Sequence, residues 1–367
     1  MAEGVFSKLD ESLQKALDER KWSPTPVQQV TQEEIAAGHD RLVVAPTGSG
    51  KTMAAMLPLL DRCLREEWPG MSILYITPLR ALNRDVDRRL DEITSAVGLR
   101  LGLRHGDTPQ SERNKHVRNP PNVMITTPET FQLMFTGSKL RELLRTVKAV
   151  VIDEVHEMAD GERGWQLSIG LSRLESFKGS KVQKIGLSAT VGNPKQVARW
   201  LSPDAEAINA IAPRTTELSV DAIVQLPEDE IGSLELAISP RAHATLRGLA
   251  DIVAKKNPCL IFVNSRNSAE TVSQRIQAIA PDLEIGVHHG SLAKETRTQM
   301  EDDLRNGKIQ GLVCTSSLEL GIDIGTIRRV HQLNSPRAVD RLLQRVGRAE
   351  HHLGGTGKGD ILAWEID

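Results

Sequence analysis

Eight residues, Ala45-Pro46-Thr47-Gly48-Ser49-Gly50-Lys51-Thr52, restrict the folds open to this chain more than any other stretch. They follow the short apolar run Leu42-Val43-Val44 and precede Met53, Met56, Leu57, Leu60 and Leu64 at helical spacing, so they join a buried strand to a helix. A glycine-bearing turn at such a junction has phosphate-loop geometry. Gly48 and Gly50 let backbone N–H groups face an anion at the helix N-terminus, where the helix dipole also favours negative charge. Lys51 adds a point charge, and the Thr52 hydroxyl can ligate Mg²⁺. Thr47, Gly48, Ser49, Gly50, Lys51 and Thr52 are the expected nucleotide contacts. The usual pattern opens with glycine, a position held here by Ala45.

A strand feeding a helix implies an α/β fold, and 367 residues are too many for one small core, which predicts two domains. Their boundary is expected near Ala212, giving domains 1–212 and 213–367. There Ala212-Pro213-Arg214 follows the helix end Trp200-Leu201, and an acidic, Pro227-containing stretch runs from Gln225 to Gly232. Charged residues make up 26% of the chain and the net charge is −2, values that give no sign of disorder. They do not exclude a nucleic-acid partner, because binding needs only a local basic groove. Cys63, Cys259 and Cys314 lack metal-site spacing and fit a reducing cytoplasm. No apolar run approaches ~18 residues, and the N-terminus lacks signal-peptide order. The expectation is a soluble, cytoplasmic monomer without membrane partners.

Along the first half, Phe6, Leu9, Leu13 and Leu17 predict one amphipathic helix ending near Ser23-Pro24-Thr25-Pro26. Gln28 follows, a carboxamide able to bond the N6/N7 edge of adenine and so to select ATP. The apolar run Ile73-Leu74-Tyr75-Ile76 ends in Thr77-Pro78-Leu79-Arg80-Ala81-Leu82. A helix then places Leu82, Val86, Leu90, Ile93 and Val97 on one face, with Arg84, Arg88 and Arg89 balanced by nearby aspartates. Arg80 differs, since it sits at a strand end, where open α/β sheets bind ligands. Val123-Met124-Ile125 leads to Thr126-Thr127-Pro128-Glu129, whose short polar groups suit either a phosphodiester backbone or a helix cap. Ala149-Val150-Val151-Ile152 ends in Asp153-Glu154-Val155-His156. Two adjacent carboxylates at a strand end are costly unless they face a cation. Asp153 is assigned to Mg²⁺ together with Thr52, and Glu154 to orienting the attacking water. Ile185-Gly186-Leu187 reaches Ser188-Ala189-Thr190.

A second α/β alternation starts at Cys259-Leu260-Ile261-Phe262-Val263, with a helix from about Ser268, a strand at Ile285-Gly286-Val287, a helix capped by Ser291 and a strand at Gly311-Leu312-Val313-Cys314. It contains no second phosphate loop. Its strand ends are polar: Asn264-Ser265-Arg266, His288-His289-Gly290-Ser291 and Thr315-Ser316-Ser317. The paired histidines lack further ligands at metal-binding spacing.

Gln28, the phosphate loop, the Thr77–Leu82 stretch, Thr126-Thr127-Pro128-Glu129, Asp153-Glu154-Val155-His156 and Ser188-Ala189-Thr190 resemble, in order and spacing, the first half of a superfamily-two helicase. Gly321-Ile322-Asp323 and Gln344-Arg345-Val346-Gly347-Arg348-Ala349 complete the set. Gly106-Asp107-Thr108, the 157–164 segment, Leu318–Asp323 and Gly347-Arg348 followed by His351 resemble the Lhr (large helicase-related) branch, near the Ski2-like helicases. The resemblance implies two tandem RecA-like domains with parallel sheets, ATP and Mg²⁺ as cofactors, and 3′-to-5′ movement on single-stranded or partly duplex nucleic acid. It implies a repair or recombination role, with DNA favoured over RNA. Gly321, Asp323, Arg345, Arg348 and His351 become nucleotide contacts by matching the family motifs. Arg348 matches the arginine-finger position, with a structural ion pair as its alternative. Pro78, Arg80, Thr127, Pro128, Asn264, Ser265, Arg266, His289, Gly290 and Thr315 become strand contacts. Lhr cores continue into a winged helix and a further domain, so weaker unwinding than ATP turnover is expected of this stretch. The family generally has glycine where this chain has Glu350. An RNA remodeller and a slow ATP-gated clamp are the rival functions.

Overall fold

Continuous apolar runs become strands covered on both faces, because side chains alternate and each face must find a helical layer. The structure, a computed structural model, describes residues 4–46, 48–78, 83–159, 161–189, 193–210, 216–319, 327–349 and 356–363. The chain divides into two compact units, Met1–Ala212 and Pro213–Asp367.

In the first unit the described strands are β1 (Arg41–Val44), β2 (Ile73–Ile76), β3 (Leu101–Arg104), β4 (Val123–Thr126), β5 (Ala149–Ile152), β6 (Gln183–Ser188) and β7 (Glu206–Asn209). They pair in parallel in the order β3-β4-β2-β5-β6-β1-β7. Val43, Tyr75, Val151 and Ile185 face one layer, whose core includes Phe6, Leu13, Met56 and Leu60. Leu42, Leu74, Val150 and Ile152 face the other, with Phe131, Leu167 and Leu174. Since every pairing is parallel, the carboxyl ends share one rim. The loops after β4, β2, β5, β6 and β1 follow one another along it.

Phe6, Leu9, Leu13 and Leu17 are buried, but not on a single helix. A 3₁₀ turn, Gly4–Lys8, precedes the helix Glu11–Glu19, and Asp10 caps that helix by accepting from the Ser12 N–H at 2.9 Å. A capping aspartate needs non-helical backbone, so the apolar stripe continues across a break.

The second unit has β8 (Thr216–Asp221), β9 (Cys259–Phe262), β10 (Ile285–His288), β11 (Gly311–Cys314), β12 (Arg329–Leu333) and β13 (Gly357–Leu362), again all parallel, in the order β10-β11-β9-β12-β13-β8. Between its apolar faces, β12 and β13 carry polar groups inward. Asp360 stands opposite His331 on one side and Ser219 on the other. It accepts from Ser219 Oγ at 2.6 Å and Arg329 Nε at 2.6 Å, with His331 Nδ1 at 3.1 Å. On the unit's flank, the helix Pro227–Glu235 is tied to the helix Pro240–Lys255 by fully buried Asp229. That carboxylate takes hydrogen bonds from Arg247 Nε (2.9 Å), Arg247 Nη2 (3.0 Å) and the Leu226 N–H (2.7 Å), and lies 2.7 Å from His243 Nδ1. The Arg247 guanidinium holds its carboxyl well below the usual carboxylate range.

Two helix starts differ from expectation. The helix Arg266–Ile279 is capped by Ser265, which accepts from the Ser268 N–H at 3.0 Å. The helix Lys294–Arg305 has Ala293 at its N-cap rather than Ser291. No helix among the described residues is long and apolar enough to cross a membrane.

Candidate active site

The phosphate loop leaves β1 and enters the helix Lys51–Arg65 through two left-handed glycines, Gly48 (φ 77°) and Gly50 (φ 93°). A Cβ on Gly50 would also stand 2.8 Å from Gln28 Nε2 and 3.0 Å from Thr25 Oγ1, so conformation and space both require glycine there. The loop folds around its lysine: Lys51 Nζ donates to Ala45 O at 2.7 Å and Pro46 O at 3.0 Å. The buried Ser49 hydroxyl has no hydrogen-bond partner among the described residues.

Gln28 lies against this loop, and its carboxamide has a structural task. Oε1 accepts from the Thr25 N–H at 3.0 Å, and Nε2 donates to Gly50 O at 3.3 Å. The expected adenine contact would use its second N–H and second lone pair.

The acidic pair follows β5. Asp153 is held at both oxygens: Oδ2 accepts from Tyr75 Oη at 2.6 Å, and Oδ1 from the Glu154 N–H at 3.0 Å. Glu154 adopts a left-handed φ of 44°, an uncommon conformation for a non-glycine residue that is concentrated at functional sites. Its buried Oε2 has no hydrogen-bond partner among the described residues and lies 3.6 Å from His156 Nδ1, which is 3.0 Å from Ser188 Oγ. The Asp153-Glu154-Val155-His156 and Ser188-Ala189 strand ends are thereby joined. Burial and the neighbouring Glu154 carboxylate push the Asp153 carboxyl up, while the Tyr75 hydroxyl and the Lys51 ammonium pull it down. Burial and Asp153 push the Tyr75 phenol well up. Two buried carboxylates and the Thr52 hydroxyl beside a phosphate loop are oxygen ligands of the kind Mg²⁺ takes, and the Lys51 ammonium supplies positive charge for a nucleotide phosphate.

Along the same rim, Pro78 is fixed by Arg163, which donates to its carbonyl at 2.9 Å and pairs with Glu129 at 2.8 Å. Thr127 turns its hydroxyl inward as the N-cap of the helix Pro128–Met134, accepting from the Thr130 N–H at 3.3 Å. Of the two uses open to this stretch, its side chain takes the cap. Thr77 and Thr126 have buried hydroxyls without hydrogen-bond partners among the described residues, at the ends of β2 and β4.

In the second unit the loops after β9, β10 and β11 lie side by side. Asn264, Ser265 and Arg266 are exposed, and Arg266 Nη1 donates to Ser291 Oγ at 3.0 Å. His289 is buried, 2.8 Å from Glu270 Oε1, and its Nδ1 accepts from the Ser291 N–H at 3.3 Å. Gly290 is exposed, and a Cβ there would meet nothing within 4 Å. His288 links Ser317 (2.8 Å) and Glu301 (3.0 Å), and the Thr315 N–H donates to its carbonyl at 3.2 Å.

Arg345 has a structural task. Its guanidinium is 2% exposed and turned into its own unit, donating from Nε to Glu319 Oε1 at 2.7 Å and from Nη1 to Gln332 and Asn264, over the Phe262 ring at 5.1 Å. A desolvated guanidinium takes the partners that satisfy its fork, so Arg345 ties β12 to the segment after β11. Arg348 is also buried. Thr47, Arg80, Thr190, Gly321, Asp323, Glu350 and His351 lie outside the described residues.

Sequence reasoning missed Tyr75, Arg163, Glu319 and Gln332. Only Tyr75 left a signal: it is the chain's single tyrosine, on a strand expected to be buried.

The DEAD/DEAH box helicase family matches residues 25–197, and the Helicase conserved C-terminal domain family matches residues 244–352. The "Lhr helicase/ probable uracil glycosylase" of Mycolicibacterium smegmatis is 38% identical over 92% of this chain and 25% of its own length. The "ATP-dependent helicase Lhr-Core" of Methanothermobacter thermautotrophicus is 36% identical over 94% of this chain and 42% of its own. The chain thus spans less than half the length of these curated relatives. The solved structure of Mycobacterium smegmatis helicase Lhr bound to ssDNA and AMP-PNP matches 99% of this chain and 49% of that one, with a TM-score of 0.83 and 36% identity.

Proposed function

We propose that this chain, which belongs to the DEAD/DEAH-box helicases on the Lhr branch, hydrolyses ATP and uses the turnover to move along a single strand of nucleic acid. The observation that carries the reading is the acidic pair beside the phosphate loop, with Asp153 tied at both oxygens and Glu154 presenting an oxygen without a hydrogen-bond partner among the described residues. Thr52 and Asp153 would hold Mg²⁺, Asp153 through water. When bound, the metal supplies charge neutralisation at the phosphoryl oxygens. Lys51 adds positive charge to the phosphates. The unpartnered Glu154 oxygen accepts a hydrogen bond from the attacking water and orients it. Arg348 is assigned to the γ-phosphate by its motif position.

The exposed Asn264, Ser265, Arg266 and Gly290 supply polar and cationic contacts for a phosphodiester backbone. An aromatic content of 3% agrees with backbone contacts over base stacking. The relative solved with ssDNA favours DNA as the strand. Movement is 3′ to 5′, the chain acts as a monomer, and the biological setting is DNA repair or recombination in the cytoplasm.

The test is the ATPase rate alone, with single-stranded DNA and with single-stranded RNA. DNA is expected to stimulate most. Lys51→Ala should lose nucleotide binding and turnover, and Glu154→Gln should bind but not turn over. Wild-type turnover in Glu154→Gln rejects the water assignment, and stronger stimulation by RNA rejects DNA as the strand.

A further inference from the structure

Tyr75 lies opposite Val151 in the parallel pairing of β2 with β5. Side chains two residues apart on a strand share a face, so Asp153 continues the row begun by Val151, one step beyond the end of β5. The phenol runs along that row, and its hydroxyl meets Asp153 Oδ2 at 2.6 Å. The ring is fully buried among Val43, Ala45, Val151 and Ile185, where phenylalanine would pack as well without carrying a polar group inward. A buried hydroxyl is retained without penalty only where it is hydrogen-bonded, and this one donates to Asp153. Tyr75 is therefore the side chain that reaches, from a neighbouring strand, the carboxylate assigned to the metal.

We propose that Tyr75 is a positioning residue for Mg²⁺: its hydroxyl, with the Glu154 N–H on the other oxygen, fixes the plane of the Asp153 carboxylate. Each carboxylate oxygen keeps a lone pair for the hydrated ion. This inference rests on the assignment of Thr52 and Asp153 to the metal made above.

Two experiments test it. In the first, a fluorescent ADP analogue is titrated into wild type and Tyr75→Phe, in Mg²⁺ and in EDTA. Affinity in EDTA should agree within about twofold, and the tightening caused by Mg²⁺ should shrink by roughly tenfold, the usual weight of a hydrogen bond to a charged group. The Mg²⁺ concentration giving half-maximal ATPase should rise in parallel. Equal Mg²⁺ dependence in both proteins overturns the proposal. The second needs no substitution. Tyr75 is the chain's only tyrosine, so 3-fluorotyrosine labelling gives one ¹⁹F resonance. That resonance should move with ADP plus Mg²⁺ and not with ADP in EDTA, and a resonance indifferent to the metal overturns the proposal whether or not Tyr75→Phe folds. Neither binding readout depends on turnover. An inactive wild type would count against the proposed function, and a metal-blind Tyr75 against this inference alone.

Discussion

Removing Arg345 tests whether that side chain holds the second unit together or touches nucleotide. Arg345→Met keeps the length of the stem and leaves Glu319, 5% exposed, as an uncompensated buried carboxylate. Breaking a buried pair at one end costs about 3–5 kcal/mol. That is a large share of the ~5–15 kcal/mol that holds a typical domain. Arg345→Met with Glu319→Leu removes both charges. The main residual cost is the Gln332 oxygen left without its donor, about 1–3 kcal/mol. The double variant should therefore recover a large part of the loss. Urea unfolding followed by far-UV circular dichroism measures this, with an internal control. Four of the five tryptophans, at positions 22, 68, 165 and 200, lie in the first unit, so tryptophan fluorescence should shift much less than dichroism. A double variant no more stable than the single one would refute the ion-pair reasoning. One with wild-type stability that binds nucleotide at least about tenfold more weakly would restore Arg345 as a nucleotide contact.

Gly50→Ala should cost about 1–2 kcal/mol for a left-handed alanine, and more as Gln28 and Thr25 move aside; nucleotide titration should show at least about tenfold weaker binding. Asp229→Asn should destabilise the second unit at neutral pH. Because Arg247 depresses the folded-state value of Asp229, its contribution is complete above the unfolded value of ~3.9 and fades as pH falls below it. Unfolding midpoints of the two proteins should differ constantly above about pH 5 and converge in acid; a gap that widens in acid refutes the assignment. Affinity for single-stranded nucleic acid should fall with salt at a log–log slope of about −0.7 per phosphate contacted, and Arg266→Ala should make that slope shallower by about one contact. An unchanged slope removes Arg266 from the strand contacts.

Strands β1, β2, β4 and β5 were legible because both their faces are buried, which leaves unbroken apolar runs. Strands β12 and β13 were not, since Arg329, His331, Gln332 and Asp360 give a buried strand the composition of a loop. Edge position hid β3, β7 and β8, each with fewer buried side chains to betray it. At the site, the phosphate loop and acidic pair were readable because phosphate and cation chemistry tolerate few substitutes. Spacing could not tell which way a side chain points. Motif position assigns Arg345 to nucleotide without showing that its guanidinium turns into its own unit, and a carboxamide suited to a base edge does not show that Gln28 also holds a loop. Tyr75 was read only as part of a strand, because its partner is supplied by a different strand 78 residues away.

The buried Asp360 group has a consequence for how the second sheet can assemble. Hydrophobic strands of similar shape can slide past one another with little change in energy, and nothing but the loops then chooses among alignments. Here Asp360 meets His331 and Ser219 only when β8, β13 and β12 are aligned as observed. A shift by one residue turns the aspartate to the opposite face and strands it among aliphatic side chains. The cluster works as a keyed joint: it contributes less to making the sheet strong than to making every wrong assembly costly. Replacing Asp360 together with Ser219, Arg329 and His331 by well-packed hydrophobic residues is therefore expected to yield a protein that is no less stable yet folds to more than one arrangement.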